Sequence, residues 1–158
     1  TDNCQLATGH YPPMRIRIRR LDPSIALPRY HSEGAAAFDI ASREDVTVAP
    51  GEVRLVGTGL VVEVPRGHLL AVVARSSLPI KKGLLVANAV GIVDSDYCGP
   101  GDEVKVEVYN FREREVTIAR GERIAQGLIL PAVRVEWDEV EATAAPSRGG
   151  FGSTGGLG

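Results

Sequence analysis

Cysteine is scarce. Cys4 and Cys98 stand far apart in a chain of 158 residues, and their separation matches no zinc or redox spacing. They read as free thiols in a reducing compartment, which points to the cytoplasm. Histidine is equally sparse: His10, His31 and His68 show no ligand spacing, which argues against a histidine-based metal site. No apolar run reaches the roughly 18–20 residues that a membrane-spanning helix needs. Positive charge is not in surplus either, since the formal net charge is −2. Nucleic acid is therefore not the expected partner, and an anionic ligand has to be held by local arginines and backbone amides. There is no Walker-type loop, no dinucleotide fingerprint and no serine framed as a nucleophile elbow.

Alternation of apolar and polar residues is what the sequence has in abundance. In "MRIRIRR", Met14, Ile16 and Ile18 share one face and Arg15, Arg17 and Arg19 the other, the period of a half-buried strand. The stretches "DVTVAP", "EVRLV", "GLVVEVP", "HLLAVVAR", "EVKVEVYN", "EVTIA", "RIAQGLIL" and "VRVEWDEVE" follow the same rule and are rich in Val, Ile and Leu. "APGE", "VPRGH" and "ARGER" separate them as glycine-based turn signals. Many short strands at close spacing predict an all-β sandwich or barrel, with one turn of helix in "SSLPIKKG". The length suits one domain, placed at residues 14–144. Residues 1–13 carry neither a charged n-region nor an apolar h-region, and read as an upstream leader or a disordered N-terminus. The Gly-rich tail, residues 145–158, cannot bury enough apolar surface to order itself alone.

Polar clusters fall at strand ends. Arg75, Ser76 and Ser77 follow "LLAVVA" directly, where an arginine fork, two hydroxyls and turn amides suit phosphate oxygens or, more simply, a capped turn. In "NAVGIVDSDYCG", Asp94 and Asp96 share a face when extended and Tyr97 follows. A carboxylate beside an aromatic ring can orient a water and stack on a flat or sugar-like ligand; a solvated acidic turn is the plainer alternative. Gln126 sits among apolar residues in "RGERIAQGLIL", and its amide needs partners from the core or from a ligand.

Taken in order, "GAAAFDIAS", "ARSSLPIKKG", "NAVGIVDSDYCG", "RGERIAQGLIL" and "SRGGFGSTG" resemble the five motifs of the homotrimeric dUTP diphosphatases (dUTPases). The resemblance spans roughly residues 34–154. It implies a distorted β-barrel or jelly roll with a flexible C-terminal arm, assembled as a threefold ring whose active sites are shared between subunits. It implies hydrolysis of dUTP to dUMP and diphosphate, limiting uracil in DNA and supplying dUMP for dTTP synthesis. By the same resemblance Asp94 is the carboxylate that activates the attacking water, and Tyr97 packs under the deoxyribose. Asn88, the backbone of Gly91, Ile92 and Val93, and Lys105 read the uracil edge. Arg75, Ser76, Ser77 and Gln126 meet the phosphates. From the tail, Phe151 stacks on the base while Arg148, Gly152, Ser153 and Thr154 close on the triphosphate. Asp39 acts indirectly, through waters or the metal shell, and Mg²⁺ is held mainly by the triphosphate.

Some residues depart from that pattern. Ala37 and Ser77 stand where the family usually has glycine, and Pro100, Gly101 and Asp102 lengthen the link between hairpin and next strand. The related dCTP deaminases share the Arg-Ser-Ser run and carry a glutamate where Glu107 stands, so a deaminase or bifunctional enzyme is the alternative. Ile80 replaces their second catalytic arginine. A catalytically idle β-trimer that binds a nucleotide or protein as a regulator is a third reading, opposed by the presence of Asp94 and Phe151.

Overall fold

A computed structural model of the chain describes residues 13–147 and 149. The strands, in chain order, are β1 (Arg17–Arg20), β2 (Phe38–Ala41), β3 (Val46–Val48), β4 (Val53–Gly57), β5 (Leu60–Glu63), β6 (His68–Ala74), β7 (Leu84–Val86), β8 (Val90–Val93), β9 (Lys105–Asn110), β10 (Val116–Ile118) and β11 (Arg123–Pro131). A helical turn at Leu78–Lys82, closed by Gly83 in the left-handed region (φ 73°), lies between β6 and β7. The expected all-β class holds, as does the turn of helix. Hydrogen bonding divides the strands into four small antiparallel sheets, ordered β1-β5, β10-β3, β2-β11-β6-β8 and β4-β9-β7, rather than one closed ladder.

Alternation decides which side chains go inside. In β3 and β10, Val46, Val48, Val116 and Ile118 are buried while Thr47 and Thr117 face water. In β9, Val106, Val108 and Asn110 point inward, leaving Lys105, Glu107 and Tyr109 on the outer face. These inward residues join Ile40, Leu70, Val72, Leu84 and Ile124 in one core between the sheets. The turn signals behave as their sequences require. "APGE" and "ARGE" use one device twice: Glu52 accepts the Ala49 N–H at 2.7 Å, and Glu122 accepts the Ala119 N–H at 3.0 Å. In each, the glycine takes the positive φ that a tight turn needs (Gly51 70°, Gly121 78°).

One expected strand is not one. In "VRVEWDEVE" the alternation is clear, yet residues 132–140 run as irregular, exposed chain, with Trp137 92 % accessible. Pro131 ends β11, and past the Ala132 N–H, which donates to Gly67 O at 2.8 Å, no backbone hydrogen bond joins residues 133–140 to another described segment. A strand exists only when a neighbour satisfies its N–H and C=O groups, and within the described chain that neighbour is missing.

Candidate functional site

Three elements converge on one carboxylate. Asp39 lies on β2 opposite Gln126 of β11, and Gln126 in turn lies opposite Val73 of β6. Arg75, the residue after β6, donates from Nε to Asp39 Oδ1 at 2.9 Å, and Arg123 donates from Nη1 to Oδ2 at 3.0 Å. The His31 imidazole stands 3.2 Å from the same Oδ2. Asp39 therefore fixes Arg75 from behind. Gln126 donates from Nε2 to the Ala74 carbonyl at 3.1 Å, so part of its amide is anchored to protein and the rest borders a cavity. That cavity, about 210 Å³, is lined by His31, Ala35, Ala37, Asp39, Arg75, Ser76 and Gln126. A guanidinium held side-on, a hydroxyl and an amide in a concave pocket can grip phosphate oxygens.

His31 and Arg123 escape sequence reasoning. Arg123 and Gln126 are three residues apart, which strict alternation assigns to opposite faces. A bulge at Ile124 inserts one residue between the pairs Arg123↔Ala41 and Ala125↔Ile40, bringing Arg123 to the Asp39 face and burying Ile124 and Ala125 together. Close packing keeps β2 in this register: a Cβ on Gly127 would come within 2.5 Å of the Phe38 ring. No sequence signal marks His31.

A second group of residues runs along β8, from the Asn88 turn beside the Arg75 end of β6 to Asp94 at the other end. Strand β8 pairs with β6 so that Val90 is opposite Val73 and Val93 opposite Leu70. Asp94 follows Val93 and Arg75 follows Ala74, so some six residues of strand rise, on the order of 20 Å, separate them. Asn88 and Ala89 make the turn between β7 and β8, with Ala89 in the left-handed region (φ 60°). β7 and β8 are consecutive but belong to different sheets, each as an edge strand. Between Gly91 and Val93, alternate backbone amides thus face an edge that a ligand can pair with, while the others bond β6. Glu107 O accepts the Ala87 N–H at 2.8 Å, which brings Lys105, two residues earlier on the antiparallel strand, toward the Asn88 turn. Among the described residues the Asp94 carboxylate has no hydrogen-bond or ion-pair partner, and it is exposed. Tyr97 is half exposed; its hydroxyl donates to the Glu103 carbonyl at 3.2 Å. Pro100, Gly101 and Asp102 fold into a closed turn, with Asp102 Oδ2 accepting the Gly99 N–H at 2.7 Å.

Ser76 borders the cavity, while Ser77 lies behind it at the base of the helical turn, its carbonyl accepting the Lys81 N–H at 2.9 Å. Glu107 faces outward on β9 opposite Leu55, and Ile80 is 78 % exposed. Arg148, Phe151, Gly152, Ser153 and Thr154 lie outside the described residues, as does Cys4. Cys98 is a free, part-buried thiol. No helix is long and apolar enough to cross a membrane among the described residues.

Known proteins match this chain over most of its length. The family model for dUTPase matches residues 24–155. The chain is 48 % identical over 148 residues to the deoxyuridine 5'-triphosphate nucleotidohydrolase of Anaeromyxobacter sp. (strain Fw109-5), covering 90 % of this chain and 99 % of the relative. Its fold superposes on the crystal structure of dUTPase from Streptococcus mutans with a TM-score of 0.71 at 29 % identity, covering 77 % of this chain and 98 % of the other. A mutant dUTPase from phage phi11 of S. aureus, described for its coordination of a structural Mg(II) ion, matches in fold with a TM-score of 0.73 at 22 % identity, over 82 % of this chain and 98 % of that one.

Proposed function

The chain belongs to the dUTPase family, and from that premise we propose that it hydrolyses dUTP to dUMP and diphosphate. The observation that carries the reading is the Asp39–Arg75–Gln126 cavity at one end of β6, suited to phosphate, with Asp94 at the other, a carboxylate without a partner among the described residues. Asp94 takes a proton from the water that attacks the α-phosphorus; the bond from that phosphorus to the bridging oxygen breaks, and diphosphate leaves. A positioned base of this kind contributes about 10²–10⁴ in rate. Tyr97 forms the floor under the deoxyribose. The edge amides of Gly91 to Val93, with Asn88 and Lys105, pair with uracil and leave the exocyclic amine of cytosine facing donors. Ser76 completes the phosphate grip with Arg75, with Ser77 behind it at the base of the helical turn. The comparisons do not favour the deaminase reading.

Mg²⁺ fits this site as a companion of the substrate. Asp39 is already engaged by Arg75 and Arg123, so the triphosphate and water are the ion's natural ligands, with exposed carboxylates such as Asp94 and Asp96 available to its waters. When bound, the ion neutralises phosphate charge. The tail, residues 145–158, closes over the nucleotide: Phe151 stacks on the base, Arg148, Ser153 and Thr154 meet phosphate oxygens, and Gly152 lets the backbone approach closely.

A closed homotrimer is part of the same proposal. A separation on the order of 20 Å is too long for one triphosphate to engage Arg75 and Asp94 of a single chain, so a second copy must bring its Asp94 to the first copy's cavity. Unpartnered apolar surface supports this: Val53 and Leu55 on β4, Ile92 on β8, and the exposed alternation of Val133, Val135 and Trp137. The enzyme is proposed to work in the cytoplasm. Product analysis with dUTP, dCTP, dTTP and UTP tests the reaction: diphosphate from dUTP alone is expected, and ammonia from dCTP would overturn it. Sedimentation tests the assembly, which fails if a fully active monomer is found.

A further inference from the structure

The proposed reaction leaves one buried charge unused. Among the described residues the buried polar side chains are Ser42, Thr58, Glu103 and Asn110, and Glu103 alone carries charge, with its side chain 7 % exposed. A carboxylate at that depth is strongly disfavoured unless paired and hydrogen-bonded. Glu103 Oε1 accepts the Gly59 N–H at 2.7 Å and stands 3.2 Å from Arg43 Nε, a nitrogen itself shielded from solvent. The corner between β4 and β5 is built to admit this carboxylate. A Cβ on Gly57 would lie 2.7 Å from Glu103 Oε1 and 2.6 Å from Arg43 Nε.

The backbone around Glu103 is pinned on both sides. The Val104 N–H donates to the Leu60 carbonyl at 2.8 Å, and the Val104 carbonyl accepts the Thr58 hydroxyl at 2.6 Å. The Glu103 N–H donates to Gly101 O at 2.9 Å, closing the turn formed by Pro100, Gly101 and Asp102. What remains free is the Glu103 carbonyl, and it holds the Tyr97 hydroxyl. The lengthened link and the buried carboxylate thus converge on one aromatic ring.

We propose that Glu103 is a positioning residue for sugar selectivity: its buried carboxylate fixes the carbonyl that fixes Tyr97, so that the ring stays as a rigid wall against a ribose 2′-hydroxyl. This rests on the reading that Tyr97 floors the deoxyribose. A ring tied at its hydroxyl edge cannot tilt to make room, whereas an untied ring can. Glutamine at 103 would keep an oxygen toward both the Gly59 N–H and Arg43 Nε but remove the negative charge that offsets the guanidinium, loosening the corner while keeping the volume.

The experiment measures kcat/KM for dUTP and UTP, with melting temperature, in the full-length protein and in Glu103→Gln, Tyr97→Phe, Tyr97→Ala and the Glu103→Gln/Tyr97→Phe pair. In Glu103→Gln the preference for dUTP is expected to fall about tenfold, with UTP turnover rising in absolute terms. A merely weakened fold would lower both substrates together. Tyr97→Phe is expected to shift the ratio in the same direction, and the pair to do little more than either alone, since both act through one hydrogen bond. Glu103→Gln that melts lower but keeps the ratio within about twofold overturns the proposal. So does a Tyr97→Phe ratio equal to that of the parent, which decides the matter even if the Glu103 variant does not fold. An unchanged ratio in Tyr97→Ala would remove the sugar-floor reading itself, a failure distinct from that of Glu103.

Discussion

The two ends of β6 are built on opposite plans. At the Arg75 end the site's charged groups are tied together: Asp39 receives Arg75 and Arg123 at 2.9 and 3.0 Å, with His31 at 3.2 Å. At the Asp94 end the carboxylate has no protein partner among the described residues, and Tyr97 is held by a single hydrogen bond. The difference follows from what each end has to do. A cation that grips a phosphate works best when its geometry is fixed beforehand, so that binding costs little reorganisation. A base that must take a proton from water needs its lone pairs free, and an arginine partner would lower its basicity. One end is therefore rigid by ion pairing, the other open by design of its surroundings.

The largest expected effect breaks the open end. Asp94→Asn should leave the fold and its assembly intact while lowering turnover about a hundredfold or more, as loss of a positioned base does. A variant that binds dUTP and turns over within a few-fold of the parent would show that the base is elsewhere. Removing the tail after Ala145 comes next: dUTP turnover is expected to fall about tenfold or more, since closure serves the reaction as well as binding, with the melting temperature unchanged. Unaltered kinetics would make the tail a passive end.

A smaller effect probes the tied end. Asp39→Asn keeps the shape but removes the charge that holds Arg75 and Arg123, and should raise the KM for dUTP about five- to tenfold with a lesser change in kcat. A change in kcat alone would mean that Asp39 acts on chemistry and not on the phosphate grip. Glu107→Gln, on the outer face of β9, should leave dUTP hydrolysis within about twofold, as solvent-face changes usually do; dCTP deamination that vanishes in this variant would restore the deaminase alternative. The smallest effect lies away from both ends. The Ala49 N–H and then Arg54 hold the Glu52 carboxyl below its usual range. A lowered folded value means that its contribution to stability is present above the ordinary glutamate range and is lost as pH falls through the folded value. Glu52→Gln should thus flatten the acid side of the stability profile, slightly and less so in high salt. An acid limb identical to that of the parent would show that the turn gains nothing from the charge.

Much of this protein was legible in its sequence because period-2 alternation and turn chemistry are local. The inward Val106 and Val108, the paired "A-x-G-E" turns and the turn of helix at Leu78–Lys82 each depend on neighbours a few residues away. The order of the motif-like stretches also pointed to the family. Alternation alone misplaced residues 133–141, since the pattern shows which face is apolar but not whether a partner strand exists. Tertiary structure decided the rest. Only the bulge at Ile124 brings Arg123 to Asp39. Only the β6–β8 register sets Arg75 and Asp94 on the order of 20 Å apart. Only the meeting of the β4–β5 corner with the turn after Cys98 buries Glu103 behind Tyr97. These are contacts between residues distant in the chain, and their energy depends on three-dimensional proximity that no local pattern encodes.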